Sequence, residues 1–356
     1  MNFGSDNTAG VAPEIMAAIA AANAGAAAPY GGDAVSARLD AAFSGLFETA
    51  VRVFPVATGT AANALALAML CPPYGSVYCH PAAHVATDEA GAPEFYTGGG
   101  KLLAVAGAAA RIAAADLEAV LAAEVERFPH SVRRAAVSIS QATECGAVYA
   151  PDELRALSEV AHAHGMGVHM DGARFANAIA RLGCAPADAT WRAGVDVLSF
   201  GVTKNGALAA EAVVFFGAVD GEEVAWRRKR AGHLFSKMRF AAAQLEAMLE
   251  DGLWLRLAGR ANAAAQRLAR GLAAVPGVAL AYPCQANEVF IEVDEPLAPA
   301  IEGAGVGAHR WNAAAPAVMR LVCAFDTPDA DVDRFVALVR GWAAGGGAAT
   351  EPPTHP

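Results

Sequence analysis

Short apolar runs that stop on small polar residues recur along the chain, and each leads into a longer stretch whose apolar positions return with helical spacing. Runs of the first kind fall at 51–56, 76–79, 135–140, 165–171 and 196–200. Helical patterns open at Pro13 and follow at 34–47, after Thr58, at 115–127 and at 151–164. The alternation predicts a mainly parallel sheet covered by helices, because parallel neighbours need a crossover long enough to hold one. From 222 to 274 the pattern is mostly helical, and then the style changes. Residues 278–280, 288–293 and 318–323 read as strands and 329–342 as a closing helix, which together predict a smaller α+β unit. Residues 344–356, Gly-rich and then Pro-rich, read as a disordered tail. The expected organisation is a large α/β domain over 1–249, a small C-terminal domain over 250–343, and that tail.

Composition narrows the picture. At 356 residues the chain can bury a substantial core. Its 55% hydrophobic content is largely alanine, and no eighteen-residue apolar stretch runs without polar interruption, so no spanning helix is expected. The first residues lack a basic and then apolar leader, so no secretory signal is expected. Lys and Arg number 26 against 36 Asp and Glu, a formal charge of -10, with no basic run beyond Arg227 to Arg230, which argues against nucleic acid as a partner. Six cysteines are scattered without a Cys-x-x-Cys pair, so reduced cytoplasmic thiols are expected rather than disulfides or a cysteine zinc site. His162 and His164 read as a helix end before Gly165 rather than as a metal pair.

The chemistry gathers at predicted strand ends. Lys204 follows the apolar run at 196–200 and stands among Gly201, Thr203, Asn205 and Gly206. Taken alone it reads as a lysine snorkelling at a loop edge or as an amine whose pKa is lowered by desolvation until it becomes a nucleophile. Thr58-Gly59-Thr60 joins a strand to a helix start, a place that suits a phosphate but equally an ordinary N-cap. His84 reads as a core histidine, an aromatic plate or a proton carrier. Gly98-Gly99-Gly100-Lys101 lacks the first glycine and the Ser or Thr of a nucleotide-binding loop, and Gly303 to Gly307 lacks the spacing of a dinucleotide fingerprint. Asp171 with Arg174, upstream of Lys204, gives the group one economical meaning. A carboxylate facing a pyridine nitrogen keeps it protonated while a lysine holds an aldehyde as an imine and a helix terminus takes a phosphate. In a parallel sheet such groups, with Gln141 among them, meet in the crevice outside the carboxyl strand ends.

Ser5-Asp6, Tyr30-Gly31-x-Asp33, Thr58-Gly59-Thr60-x-x-Asn63, Ala83-His84, His169-x-Asp171-Gly172-Ala173-Arg174, Thr203-Lys204 and Arg320-Leu321-Val322 resemble, in order, the motifs of L-threonine aldolases. These are pyridoxal-phosphate enzymes of the aspartate aminotransferase fold type, and the resemblance spans nearly the whole chain. It implies that Lys204 anchors pyridoxal 5'-phosphate, that Asp171 pairs with the pyridine nitrogen and that His84 stacks on the ring and is a debated base. It further implies that Gly59 and Thr60 bind the phosphate with Arg239 of a neighbouring subunit, and that Arg174, Arg320 and Ser5 clamp the substrate carboxylate. Tyr30 is expected near the cofactor, across a subunit boundary, and Gln141 in the cofactor site. The implied reaction is retro-aldol cleavage of a small β-hydroxy-α-amino acid to glycine and an aldehyde in a homo-oligomer, a dimer or tetramer. The runner-up is a β-eliminating lyase or aminotransferase on the same fold, and a cofactor-free binding protein is disfavoured by the presence of Lys204, Asp171 and Arg320. Two departures stand out: Gln141-Ala142-Thr143-Glu144 replaces the Glu-Asn-Thr-His of many members, and Phe235-Ser236-Lys237 replaces a glycine triplet.

Overall fold

Seven short strands build the larger sheet of the computed structural model, which describes residues 1–125, 127–294, 297–312 and 315–345. They are β1 Val51–Val56, β2 Gly75–Cys79, β3 Lys101–Ala104, β4 Arg133–Ser140, β5 Gly167–Gly172, β6 Val197–Gly201 and β7 Glu211–Phe216. Their order is β1-β7-β6-β5-β4-β2-β3, with β7 antiparallel to both neighbours and the other pairs parallel. β1 therefore runs in the same sense as β2 to β6, and the carboxyl ends of β1, β2, β4, β5 and β6 open on one edge of the sheet. β3 and β7 have no counterpart in the sequence reading. Glu211 at the start of β7 and Lys101 at the start of β3 blur the contrast on which short strands are recognised.

Helices Gly59–Leu70, Pro151–Ala163 and Phe175–Leu182 fall between consecutive strands as the alternation requires. The helix expected over 115–127 ends at Ala123, and the next residue, Glu124, turns its carboxylate to Tyr78 Oη (2.6 Å) and Arg134 Nε (3.2 Å). Under β5 and β6 an aromatic cluster fixes the strand ends. Phe200 meets Phe43 edge-on (centroids 5.2 Å) and Trp254 at 5.7 Å, while Phe175 stacks on Trp254. Phe43, Phe175, Phe200 and Trp254 are all buried, each contributing on the order of 2 kcal/mol of apolar burial to the position of this edge.

The second sheet, antiparallel with order β10-β11-β9-β8, joins β8 Val278–Leu280, β9 Glu288–Val293, β10 His309–Asn312 and β11 Ala315–Val322. The helix Leu253–Ala273 serves both cores: Leu253, Trp254 and Leu257 enter the first, Ala265, Leu268 and Leu272 the second. Phe3 also belongs to the second core. Its N–H donates to Val306, its carbonyl accepts from Val322, and its ring lies 5.2 Å from that of Phe335. Of the tail expected at 344–356, residues 344 and 345 complete the helix Asp329–Gly345, and 346–356 lie outside the described residues. No helix of the described residues is long and apolar enough to cross a membrane.

Candidate active site

Two glycines let β5 and β6 bring their polar ends together. A Cβ on Gly201 would sit 2.7 Å from the Ala173 Cα, and one on Gly172 would sit 2.6 Å from the Leu198 side chain and the Ser199 carbonyl, so neither position tolerates a side chain. Asp171 is thereby held beside Ser199 in register, and the chain leaves β6 into the single helical turn Thr203–Asn205 that carries Lys204. His169, two residues before Asp171, is a buried strut. Its ring bonds Ser138 on β4 (2.9 Å) and Ser199 on β6 (3.0 Å), and burial lowers its pKa to about 4, so it stays neutral. At the end of β1, Thr58 caps the helix Gly59–Leu70 by accepting from the Ala61 N–H (3.2 Å). The N–H groups of Gly59 and Thr60 have no acceptor within the helix, and the space beside the Gly59 α-carbon is open.

These strand ends surround a cavity of about 300 Å³ lined by Gly59, Thr60, His84, Asp171, Arg174 and Lys204, together with Asn7, Asn63, Ser140, Glu144 and Glu211. The Lys204 amine has a lowered pKa. The Arg174 guanidinium is the largest cause and burial the second, with Asp6, Asp171 and Glu288 opposing them. The sequence reading anticipated the burial but not the neighbouring cation. Asp171 accepts from the Ala173 N–H (2.9 Å) and from Asn63 Nδ2 (2.8 Å), and the same Asn63 nitrogen donates to Glu89 (2.8 Å). Glu89 in turn holds His84 Nδ1 (2.8 Å), a bond that raises the imidazole pKa, while burial raises that of Glu89 itself.

Arg174 lies at the cavity but is not free. Its Nε and Nη2 form a two-point pair with Asp6 (2.8 and 3.0 Å), and Nη1 lies 3.4 Å from Glu288. Arg320 does not line the cavity. It donates twice to the same Glu288 oxygen (3.0 and 2.7 Å) and lies over Trp311, so the two expected carboxylate binders are joined through one buried acid. Ser5 also stands outside the cavity, capping a short turn by accepting from the Asn7 N–H, and Asn7 is the lining residue of that segment. Tyr30 is half exposed beneath Lys229 (4.8 Å), and its N–H donates to Ser236. Arg239 donates to the Gly25 carbonyl (3.0 Å). Tyr30 and Arg239 are thus carried by neighbouring segments and line no part of this chain's own cavity.

Gln141 corrects the sequence reading. Its amide donates to the Tyr149 carbonyl (3.0 Å) and accepts from the Tyr149 N–H (3.0 Å), so both of its ends are spent on holding the loop after β4 and none faces a cofactor. Four acids went unassigned from sequence: Asp6, Glu89, Glu211 and Glu288 are all buried around the site. Glu211 accepts from the Val202 N–H (2.8 Å), and its burial pushes its pKa up to about 7. The available signal was a carboxylate set directly against apolar strand residues, as in Glu211-Ala-Val-Val and Glu288-Val-Phe-Ile.

The arrangement suits a pyridoxal phosphate. It offers a buried amine with a lowered pKa, a carboxylate fixed by two donors that can face a ring nitrogen, unsatisfied helix N–H groups for a dianion, and an imidazole beside them. Buried Asn63 Oδ1 and Glu144 Oε2 have no partner within the protein, as expected of a site shaped for a polar guest. Comparison with known proteins points the same way. A family model described as beta-eliminating lyase matches residues 2–296. The chain is 45% identical over 338 residues to a low specificity L-threonine aldolase of a Pseudomonas species, covering 95% of this chain and 96% of that protein. It shares the same identity and coverage with one of Pseudomonas aeruginosa. The solved threonine aldolase of Leishmania major superposes with a TM-score of 0.89 at 26% identity, over 96% of this chain and 99% of that one.

Proposed function

The chain belongs to the beta-eliminating lyase family and, within it, to the low-specificity L-threonine aldolases, and on that premise we propose that it cleaves L-threonine, L-allo-threonine and related β-hydroxy-α-amino acids to glycine and an aldehyde. The observation that carries this reading is the convergence of Lys204, Asp171 and the Gly59–Thr60 helix start on one cavity. Pyridoxal 5'-phosphate, when bound, supplies an electron-poor ring that accepts the pair released from the Cα–Cβ bond.

The protein's own groups do the rest. Lys204, disfavoured as an ammonium by Arg174, would hold the cofactor aldehyde through its lone pair. Asp171, its two oxygens oriented by Ala173 and Asn63, keeps a proton on the ring nitrogen. Gly59 and Thr60 would hold the phosphate through their free N–H groups, and His84 would stand beside the ring. Arg174 receives the substrate carboxylate, and Arg320 backs it through Glu288. Tyr30 and Arg239 serve a second copy's site, which makes the protein a dimer or tetramer. Its six free cysteines suit a reducing cytoplasm.

The test is to incubate the enzyme with L-threonine, L-allo-threonine and L-phenylserine, with Lys204→Ala as control. Glycine and the matching aldehyde are expected. Ammonia and a keto acid in their place would assign the chain to β-elimination.

A further inference from the structure

The loop after β4 that departs from the family pattern places an acid, Glu144, in the cavity. Glu144 lines it together with Lys204, Asp171 and His84. Its Oε1 accepts from Ser140 Oγ (2.6 Å) and from the His84 backbone N–H (2.9 Å), whereas Oε2 is buried without any partner. A buried carboxylate oxygen left unpaired costs on the order of 1–3 kcal/mol, a cost that a donor arriving with the substrate removes. Resting on the reaction proposed above, we propose that Glu144, rather than His84, takes the proton of the substrate β-hydroxyl.

The electrostatics agree with the geometry. Burial pushes Glu144 up to about 7, and the charge of Asp171 acts in the same direction. The Ser140 hydroxyl and backbone N–H groups hold it down. An acid poised there is half ionised at neutral pH and is matched to proton transfer. His84 is less suited, because Glu89 engages its Nδ1 and raises its pKa. Lys204, Arg174, Glu89, Glu211, Asp6 and Glu288 are the other ionisable groups around the cavity. Cys79 and Tyr149 also feel Glu144, but burial raises both so far that they remain protonated.

In the step itself the hydroxyl proton passes to Oε2 and the O–H pair becomes the second C–O bond of the departing aldehyde. The Cα–Cβ bond breaks and its pair stays on the glycine side. One proton then returns to Cα and Glu144 releases the one it took, so no net proton is consumed.

The experiment compares wild type with Glu144→Gln, which keeps an acceptor for Ser140 and His84. Three quantities are read: visible absorbance of the lysine-bound cofactor, solvent exchange of the glycine α-proton by NMR, and cleavage of L-threonine against pH. Glu144→Gln is expected to keep absorbance and exchange within about threefold, to lose 10²–10³-fold in cleavage, and to lose the acidic limb of the kcat profile. Ser140→Ala, which removes a donor to the carboxylate, is expected to raise Glu144 further and move that limb to higher pH. Cleavage within threefold of wild type, exchange falling in parallel with cleavage, or an unmoved limb in Ser140→Ala would each overturn the assignment. A wild type that releases no glycine and aldehyde from L-threonine would instead overturn the proposed reaction beneath it.

Discussion

The two walls of the cavity are built on opposite principles. The wall at the end of β1 is neutral: Thr58, Gly59 and Thr60 offer backbone N–H groups and a helix dipole. The wall at the ends of β5 and β6 is crowded with charge: Arg174 and Lys204 line it, and behind Arg174 a chain of ion pairs runs to Asp6 on one side and through Glu288 to Arg320 on the other. A neutral wall meets a dianion with incomplete compensation and leaves room for a visiting cation. A charged wall is closed on itself, and under the reading proposed above a substrate carboxylate would compete there with acids already in place. An arginine at an active site thus need not be vacant to be functional, because its partners also orient the fork.

The strongest test of the charged wall is Lys204→Ala, expected to leave the protein folded, without the absorbance of a lysine-bound cofactor on addition of pyridoxal phosphate, and slower by on the order of 10⁴-fold or more in glycine release. Next comes Asp6→Asn, which strips Arg174 of its two-point partner. A loss of about 3–5 kcal/mol is expected in urea unfolding at neutral pH. Burial raises the Asp6 carboxyl, but Arg174 and Lys204 outweigh it and hold the group below its ordinary 3.8. The stabilisation is therefore complete above pH 3.8 and lost as the pH falls below it, so mutant and wild type should converge in acid.

The neutral wall is sharpened by Arg239→Ala, expected to weaken cofactor binding by about 10- to 100-fold, read by titrating absorbance. Mixing Arg239→Ala with Lys204→Ala chains should restore part of the activity if the arginine serves a second copy, and none if it serves its own. The smallest effect is expected for Thr58→Ala, where loss of the cap costs about 1 kcal/mol in thermal unfolding and leaves turnover nearly intact.

How much of this was legible depended on whether a residue announces itself locally. Strands β1, β2, β4, β5 and β6 each carry a short, mostly buried apolar stretch and could be read from spacing, and with them the placement of Gly59, Asp171 and Lys204 at one sheet edge. β3, with exposed and half-buried positions, and β7, opening on an acid, could not. The same blindness hid the charged wall. That Arg174 pairs with Asp6, 168 positions away, and shares Glu288 with Arg320 is a fact of tertiary contact that no local pattern encodes. Gln141 shows the converse hazard, since a polar residue at the expected strand end turns its amide to the neighbouring backbone.

Asn63 joins two duties that a reaction scheme would keep apart. Its single amide nitrogen ties Asp171 to the glutamate that grips His84, so a proton gained or lost on the imidazole is felt, through one side chain, at the Asp171 carboxylate. The tint of the loaded enzyme should then drift as His84 titrates, and cutting that tether with Asn63→Ala should leave the hue indifferent to the histidine.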